Sequence, residues 1–306
     1  MAGLQAFLAS PVPYLTDGGL ETDLIFNDGC DLPLFSAFVL LADERGRTML
    51  RRYFDRYLDI AEKTGRGFVL DTPTWRANAG WADRHGLTNT DVRRINAEAV
   101  RFAREVRASR PWADRILING SIGPSGDGYA PDRILSPEAA EALHRPQIEA
   151  LAEAGVDLAI ALTMTHAGEA IGVVRAAQAA GLPVAISFTV ETDGKLPDGT
   201  ALPAAVAAVD EATGGAALFQ GVNCAHPSHF MDKLEGSWTD RVGVVRANAS
   251  TLSHAELDAA TELDDGDPHD FGRLSREVAS LLPNLRILGG CCGSDCRHVG
   301  AAASVN

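Results

Sequence analysis

The sequence predicts a single (β/α)8 TIM barrel, an α/β fold, over its 306 residues. Eight short apolar runs are nearly continuous rather than alternating, which is typical of parallel strands that are covered on both faces. Helical patterns separate successive runs, as in repeated β–α units. No linker or shift in composition divides the sequence, so we expect residues 1–306 to form one barrel domain.

The eight apolar runs define the predicted strands, and each ends in small or polar residues. They cover 14–19, 67–72, 116–122, 156–162, 183–190, 217–224, 242–248 and 286–291. An open doubly wound sheet is the alternative arrangement of such units, and it usually has a G-x-G-x-x-G turn after its first strand. Residues 16–20 read TDGGL instead, which favours the closed barrel.

Helix signals lie between the strands. The predicted helices cover 48–64, 92–107, 138–154 and 169–180. Thr88 and Ser136 are suitable N-caps for the second and third of them, and Gly181 is a common helix stop. Ser253 and Glu256 form a capping-box pattern that predicts another helix start. We expect the acidic run over 262–270 to form a surface loop, with a metal or partner site as the alternative.

Composition and charge exclude several classes of function. Lys and Arg number 27 against 41 Asp and Glu, which gives a formal charge of −14 and argues against nucleic acid as the main partner. We find no run of about 18 apolar residues that could span a membrane and no targeting segment at the N-terminus. An odd number of cysteines in a long chain favours reduced thiols and a cytoplasmic protein, with a homo-oligomer left open. The five are Cys30, Cys224, Cys291, Cys292 and Cys296.

Three of these cysteines follow predicted strands 6 and 8, which are one strand apart in a closed barrel. Active sites of such barrels form at the C-terminal ends of the strands. Three sulfurs with one open position are typical of a catalytic zinc site, so we expect Cys224, Cys291 and Cys292 to bind one metal ion there. Cys-Cys pairs also arise from packing, and spacing alone is a weak signal. Cys30 and Cys296 are expected to be free thiols, with Cys296 as an alternative fourth ligand.

Three segments of the chain carry a family resemblance. The DGG of residues 17–19, the GVNC of residues 221–224 and the GGCCG of residues 289–293 resemble the signature segments of the homocysteine S-methyltransferase family. That family includes betaine–homocysteine and S-methylmethionine–homocysteine methyltransferases. The resemblance covers nearly the whole chain, because segments 71–78, 120–124, 187–194 and 246–250 also fall in the family order.

The resemblance implies a zinc-dependent S-methyltransferase that moves a methyl group from a small onium donor to a thiol. Homocysteine is the default acceptor, methionine the product and S-methylmethionine the default donor, which would place the enzyme in methionine biosynthesis. By the resemblance, Cys224, Cys291 and Cys292 hold Zn²⁺, which keeps the acceptor thiol deprotonated for an in-line attack. No protein nucleophile or general base is then needed.

We expect a substrate pocket at the strand ends. It comprises Asp17, Gly18, Glu21, Thr72, Trp75, Thr163 and Asn223. Asp17 matches the family aspartate that holds the acceptor's amino group, and Trp75 could attract an onium donor by cation–π interaction, with turn and packing roles as alternatives. Asn223 could orient a metal ligand, bind a carboxylate or cap its strand. Arg76 and Arg246 could pair with a carboxylate or form surface salt bridges.

One position departs from the family pattern. The family usually has a glutamate before the threonine that follows strand 4, whereas this chain has Leu162 before Thr163. We hypothesise that Glu21 replaces the missing carboxylate. Two other functions remain: a barrel hydrolase or lyase that uses a zinc-bound water, and a thiol- or zinc-binding protein without turnover.

Overall fold

The computed structural model describes residues 2–129, 131 and 133–304, and it shows a closed barrel of eight parallel strands in the order β1 to β8. Strand β1 pairs with both β2 and β8, which closes the barrel. The strands are β1 (Tyr14–Leu15), β2 (Phe68–Asp71), β3 (Ile116–Ile122), β4 (Leu158–Met164), β5 (Val184–Phe188), β6 (Gln220–Asn223), β7 (Val242–Ala247) and β8 (Ile287–Gly290). The predicted barrel and its eight strands are thus confirmed.

Helices surround the barrel. The α-helices of six or more residues are α1 (Ala2–Leu8), α2 (Glu44–Lys63), α3 (Asn89–Ala108), α4 (Pro137–Ala154), α5 (Ala167–Ala180), α6 (Leu202–Thr213), α7 (His254–Ala259), α8 (Pro268–Leu281) and α9 (Cys296–Ala303). Thr88 and Ser136 cap α3 and α4, and Gly181 in the left-handed conformation ends α5. The capping box of Ser253 and Glu256 begins α7. These helix signals were all predicted, whereas α1, α6, α8 and α9 were not.

The end of strand β1 marks the boundary between the barrel and the site. The sequence predicts a strand over 14–19, but the assigned strand ends at Leu15, and only Thr16 and Asp17 continue its backbone hydrogen bonds to β8. Asp17, Gly18 and Gly19 instead pack against the segment after β8, where the Gly19 N–H donates to the Ser294 carbonyl at 2.9 Å. Gly19 has no room for a side chain, because a Cβ there would lie 2.7 Å from the Cys291 carbonyl oxygen.

The interior of the barrel is filled below the site. Inward-facing strand residues such as Val69, Leu117 and Val244 form one apolar cluster with Phe7 of α1. The Phe7 ring packs edge-on against Tyr14 at a centroid distance of 5.1 Å. A larger cluster fills the space between the strands and the surrounding helices. Open space is therefore left at the C-terminal end of the barrel. In the described part of the chain, no helix is long and apolar enough to cross a bilayer.

Candidate metal centre and substrate cavity

The sulfur atoms of Cys224, Cys291 and Cys292 lie within 4.8 Å of one another at the C-terminal end of the barrel. Cys224 follows β6 and the cysteine pair follows β8, with β7 between them. Sulfurs around one tetrahedral zinc ion, each at about 2.3 Å from it, would be about 3.8 Å apart. The cluster thus has the size and the chemistry to hold a thiophilic metal ion. Cys296 begins α9 and is not part of it.

Several residues at the site have strained backbone conformations. Cys224 and Thr163 have positive φ values of 55° and 62°, in the left-handed region that residues other than glycine rarely adopt. Each such residue costs on the order of 1–3 kcal/mol, which the surrounding structure must offset. Gly293, just after the cysteine pair, also has a positive φ of 75° and lets the chain turn there.

Hydrogen-bond donors surround the sulfurs. The Asn223 amide lies 3.7 Å from Cys291 Sγ, and it also holds Thr163, whose N–H donates to Asn223 Oδ1 at 2.7 Å. The Asn248 amide lies 3.8 Å from Cys224 Sγ, and the Tyr129 hydroxyl is 3.0 Å from the same sulfur. Asn223 therefore holds the end of β4 and contacts one sulfur of the cluster, that of Cys291 rather than that of the adjacent Cys224.

The three thiols share one negative charge readily. Hydrogen bonds from Cys224 and Cys292, together with the Arg246 guanidinium nearby, lower the pKa of Cys291 well below its usual range although burial opposes this. The adjacent Cys291 and Cys292 sulfurs raise the pKa of Cys224, and burial adds to that effect. One thiolate is therefore stable here and further thiolates are not, until a cation is added to the cluster.

A cavity of about 440 Å³ opens above the cysteines. Six of the seven residues predicted to bind substrate line it: Asp17, Gly18, Glu21, Trp75, Thr163 and Asn223. Thr72 does not, because its hydroxyl is used inside the protein, 2.7 Å from Thr74 Oγ1 and 3.1 Å from the Ser121 N–H. We correct that expectation: Thr72 holds the neighbouring strand ends together instead of facing the cavity.

Asp17 is engaged within the protein. Arg246 is buried and donates to Asp17 Oδ1 at 2.5 Å, to the Asp71 carboxylate and to the Gly290 carbonyl. The Tyr53 hydroxyl donates to the other Asp17 oxygen at 3.0 Å. Burial raises the pKa of Asp17 to about 7 even though Arg246 opposes it. Arg246 therefore pairs with two buried carboxylates of the protein, one through each terminal nitrogen, and does not form a surface salt bridge.

Glu21 faces the cavity without such partners. Among the described residues, its carboxylate hydrogen-bonds only its own backbone N–H, with Arg76 the nearest opposite charge. Burial raises the pKa of Glu21 to about 7. Leu162, which stands where the family has a glutamate, also lines the cavity and is 6% exposed. The cavity thus has an apolar wall at Leu162 and an available carboxylate at Glu21.

The Arg76 guanidinium packs against three aromatic rings beside the cavity. Its guanidinium carbon lies 3.9 Å from the ring centroid of Trp81, 5.1 Å from that of Trp75 and 5.3 Å from that of Phe35. Its Nη1 donates to the Leu34 carbonyl at 2.5 Å. Trp75, predicted to attract an onium donor, therefore already has a cation of the protein beside its ring.

Several residues of the site were missed from sequence. Tyr129 lies in the loop after β3, and Asp258, Glu262 and Asp264 lie on the cavity wall after β7. The expected surface loop over 262–270 thus borders the cavity at its start. The Gly126-Asp127-Gly128 stretch before Tyr129 is a signal for a flexible turn near the catalytic face. Glu262 and Asp264 belong to the acidic run over 262–270, for which a metal or partner site was the alternative to a surface loop, whereas Asp258 has no comparable signal.

A barrel with a cluster of metal-binding side chains at the C-terminal ends of its strands defines an enzyme of the metal-dependent barrel class. The homocysteine S-methyltransferase family model matches residues 14–305. The homocysteine S-methyltransferase of Escherichia coli (strain K12) is 30% identical over 94% of both chains, and homocysteine S-methyltransferase YbgG of Bacillus subtilis (strain 168) is 28% identical over 95% of this chain and 94% of its own length. The metallated form of the Escherichia coli homocysteine methyltransferase MmuM aligns with a TM-score of 0.74 at 26% identity over 98% of both chains. The chain belongs to the homocysteine S-methyltransferase family, as the sequence motifs indicated.

Proposed function

We propose that this enzyme transfers a methyl group from a small onium donor to the thiol of an α-amino acid, with homocysteine as the default acceptor and methionine as the product. The observation that carries the proposal is the cluster of Cys224, Cys291 and Cys292 at the base of an open cavity. Zn²⁺ is the ion that this all-sulfur set fits best. Family membership supports the same chemistry.

The chain's own residues then have positioning roles. Bound Zn²⁺ would supply the positive charge that keeps the acceptor's thiol deprotonated near neutral pH. The three cysteines fix where the acceptor sulfur lies, and the Asn223 and Asn248 amides hold two of those ligands by hydrogen bonds. The cavity walls align the donor's methyl carbon with that sulfur, since a methyl displacement needs the attacking and leaving atoms in line.

Glu21 is proposed to bind the acceptor's ammonium group. An amino-acid acceptor has a positively charged ammonium, and no hydrogen bond from another side chain of the described residues satisfies the Glu21 carboxylate. Asp258 and Glu262 also line the cavity, but they are exposed, whereas Glu21 is partly buried. The Leu162 side chain cannot accept a hydrogen bond. A charge-assisted hydrogen bond from the ammonium would favour the ionised form of Glu21 and offset its burial.

The charge of the cavity supports a cationic donor such as S-methylmethionine. Asp127, Asp258, Glu262 and Asp264 all border the cavity, and Arg76 is the cation on its wall besides the paired Arg246. Because Arg76 already lies beside Trp75, we attribute donor attraction chiefly to these carboxylates rather than to an open aromatic face. The free cysteines are consistent with a reducing, cytoplasmic location, which we include in the proposal.

The hydrolase alternative receives little support. Zinc hydrolases on this fold need an ion held by ligands such as His and carboxylates together with a bound water. Within the residues that the structure describes, the cluster contains sulfur ligands alone. His226 and His229 instead lie 5.9 Å apart, ring centroid to ring centroid, beside a neighbouring small pocket.

The test measures metal and methyl transfer together. Protein loaded with Zn²⁺ is assayed with homocysteine and other thiols against S-methylmethionine, S-adenosylmethionine, betaine and dimethylsulfonio compounds, with the methylated thiol detected by mass spectrometry. We expect one zinc per chain, and we expect Cys224→Ala, Cys291→Ala and Cys292→Ala each to lose zinc and turnover. Cys30→Ala is the matched control and should retain both. Full zinc in all three variants would refute the metal site, and tight homocysteine binding without turnover in the parent would support the thiol-binding alternative.

The role of Glu21 has its own test. Glu21→Gln keeps the shape of the side chain and removes its charge, so we expect the KM for homocysteine to rise at least tenfold, the loss of a charge-assisted hydrogen bond of about 1.5–3 kcal/mol. The KM for a thiol without an amino group should not change. An unchanged KM for homocysteine would exclude Glu21 as the ammonium-binding residue.

A further inference from the structure

Tyr129 covers Cys224 from the loop after β3. Its hydroxyl oxygen lies 3.0 Å from Cys224 Sγ, well inside the distance of the two asparagine amides from their sulfurs. When Cys224 is a deprotonated metal ligand, its sulfur can only accept a hydrogen bond, so the tyrosine donates. The contact spans 95 residues of sequence and is absent from the family motifs that identified the cysteines.

A second group holds the Tyr129 ring in place. The His254 ring stacks on it with a centroid distance of 4.0 Å and an interplanar angle of 9°. His254 Nε2 lies 3.1 Å from the Cys224 carbonyl oxygen, and Nδ1 lies 2.9 Å from Glu191 Oε1. The stacked pair therefore contacts both the sulfur and the carbonyl of Cys224. Cys224 needs such support because its backbone has an unfavourable φ of 55°.

A methyltransferase with thiolate ligands has a chemical problem. Each protein thiolate beside the donor is itself a nucleophile for the methyl group. In the side reaction, the bond from the methyl carbon to the donor's sulfonium sulfur breaks, its electron pair stays on that sulfur, and a carbon–sulfur bond forms to the cysteine. The product is a neutral thioether, which is a poorer metal ligand than a thiolate. A hydrogen bond to the sulfur stabilises its charge and so lowers its reactivity.

We propose that Tyr129 is a positioning residue that fixes Cys224 Sγ and protects it from methylation, so that the acceptor sulfur is the one that reacts. The proposal rests on the proposed function for the identity of the metal and of the electrophile. The geometry on which it depends, a phenol donor fixed by a stacked histidine over one of three clustered sulfurs, is given by the described residues of this chain and does not depend on that function.

The test compares Tyr129→Phe with the parent, because this change removes one oxygen and leaves the ring to stack on His254. Zinc-loaded protein is treated with iodomethane, and the alkylation rate of each cysteine is followed by peptide mass mapping. We expect Cys224 to react about fivefold faster in the variant, the factor that corresponds to a hydrogen bond of ordinary strength. Cys291 and Cys292 should change less than twofold. Release of zinc to a chelator should also be faster.

Tyr14→Phe is the matched control, since Tyr14 lies at the opposite end of the barrel in β1. It should leave all three alkylation rates unchanged. The comparison is repeated on parent and variant that have both been stripped of zinc, so a variant that loses its metal is still compared with a parent in the same state. An unchanged Cys224 rate in both states, or an equal increase at all three cysteines, would overturn the proposal. Neither an onium donor nor an acceptor thiol is used, so this result is separate from that of the methyl-transfer assay.

Discussion

Glu21, the residue that we propose binds the acceptor's ammonium, also lowers the stability of the folded protein above its unfolded pKa. Its carboxylate is partly buried on the cavity wall, and burial raises its pKa to about 7. An unfolded glutamate releases its proton near its ordinary pKa of about 4.3. Between these two values the folded protein holds a proton that the unfolded chain has lost. Stability therefore falls as the pH rises through this interval and stays lower above it.

Glu21→Gln should remove this pH dependence. We expect the variant and the parent to be similarly stable near pH 4, and the variant to be more stable at pH 8 by about 1–2 kcal/mol after allowance for the partial exposure of the side chain. Denaturant unfolding at both pH values without ligand measures the difference. Glu211→Gln, an exposed position on α6, is the control. An equal stability difference at both pH values would contradict this account.

Other residues of the site could be identified from sequence only where the order of the strands along the chain determines which side chains lie together. Cys224, Cys291 and Cys292 were predicted together because parallel strand order brings the ends of β6 and β8 to one edge. The ion pairs of Arg246 with Asp17 and Asp71 were not, since they join residues 229 and 175 positions apart and have no local pattern. Arg246 could have paired with a substrate, with an exposed residue or with a buried residue, and only the three-dimensional structure shows which.

At the scale of elements, the signals that worked were local and periodic. Continuous apolar runs identified strands such as β3, predicted over 116–122 and found as Ile116–Ile122, and caps identified where α3 and α4 begin. Helix α6 was missed because its alanine-rich sequence has little contrast between its faces. Strand β1 was predicted too long, since burial continues along residues 16–19 after strand pairing has ended.

Helix α7 connects local capping to the cavity. It has only six residues, too few to be stable without tertiary contacts and caps, and it contributes Leu257 and Asp258 to the cavity wall. The Ser253 hydroxyl accepts from the Glu256 N–H at 3.3 Å, and the Glu256 carboxylate accepts from the Ser253 N–H at 2.9 Å. The capping box thus holds one side of the cavity in place.

Ser253→Ala should weaken substrate binding more than it weakens the fold. Loss of this cap costs about 1 kcal/mol locally, so we expect both KM values to rise several-fold while kcat stays within twofold. Initial-rate kinetics measure the change. Thr88→Ala is the matched control, because it removes the same kind of capping box from α3, whose first turn is not on the cavity wall. If the two variants changed KM equally, the effect would be a general loss of stability.

At the scale of the whole molecule, the barrel separates stability from chemistry. The filled interior below the site, closed by Phe7 of α1, provides a rigid base. The strand ends carry the strained residues Thr163 and Cys224, whose unfavourable conformations the packed barrel offsets. The loops beyond them carry Tyr129 and the acidic wall. The fold could thus be predicted from sequence, and so could the cysteines at strand ends, whereas the loop residues could not.

The net charge of −14 bears on ligand binding because of where the acidic residues lie. Part of it lies at the cavity mouth, where Asp258 and Glu262 are exposed. Charges lining a cleft attract a ligand of opposite sign, and salt screens that attraction over about 10 Å at 0.1 M ionic strength. A cationic methyl donor should therefore bind more weakly as ionic strength rises, and a neutral thiol without an amino group should not.

The double variant Asp258→Asn, Glu262→Gln should reproduce the effect of salt. At low ionic strength we expect its KM for a cationic donor to exceed that of the parent by about three- to tenfold, since each screened charge contributes a fraction of a kcal/mol to about 1 kcal/mol. At high salt the two proteins should converge, because screening removes in the parent what the substitutions remove in the variant. Glu211→Gln changes the net charge away from the cavity wall and should leave KM unchanged at every salt concentration. A donor KM that changed neither with salt nor with these substitutions would show that the donor is recognised deeper in the cavity rather than by the acidic wall.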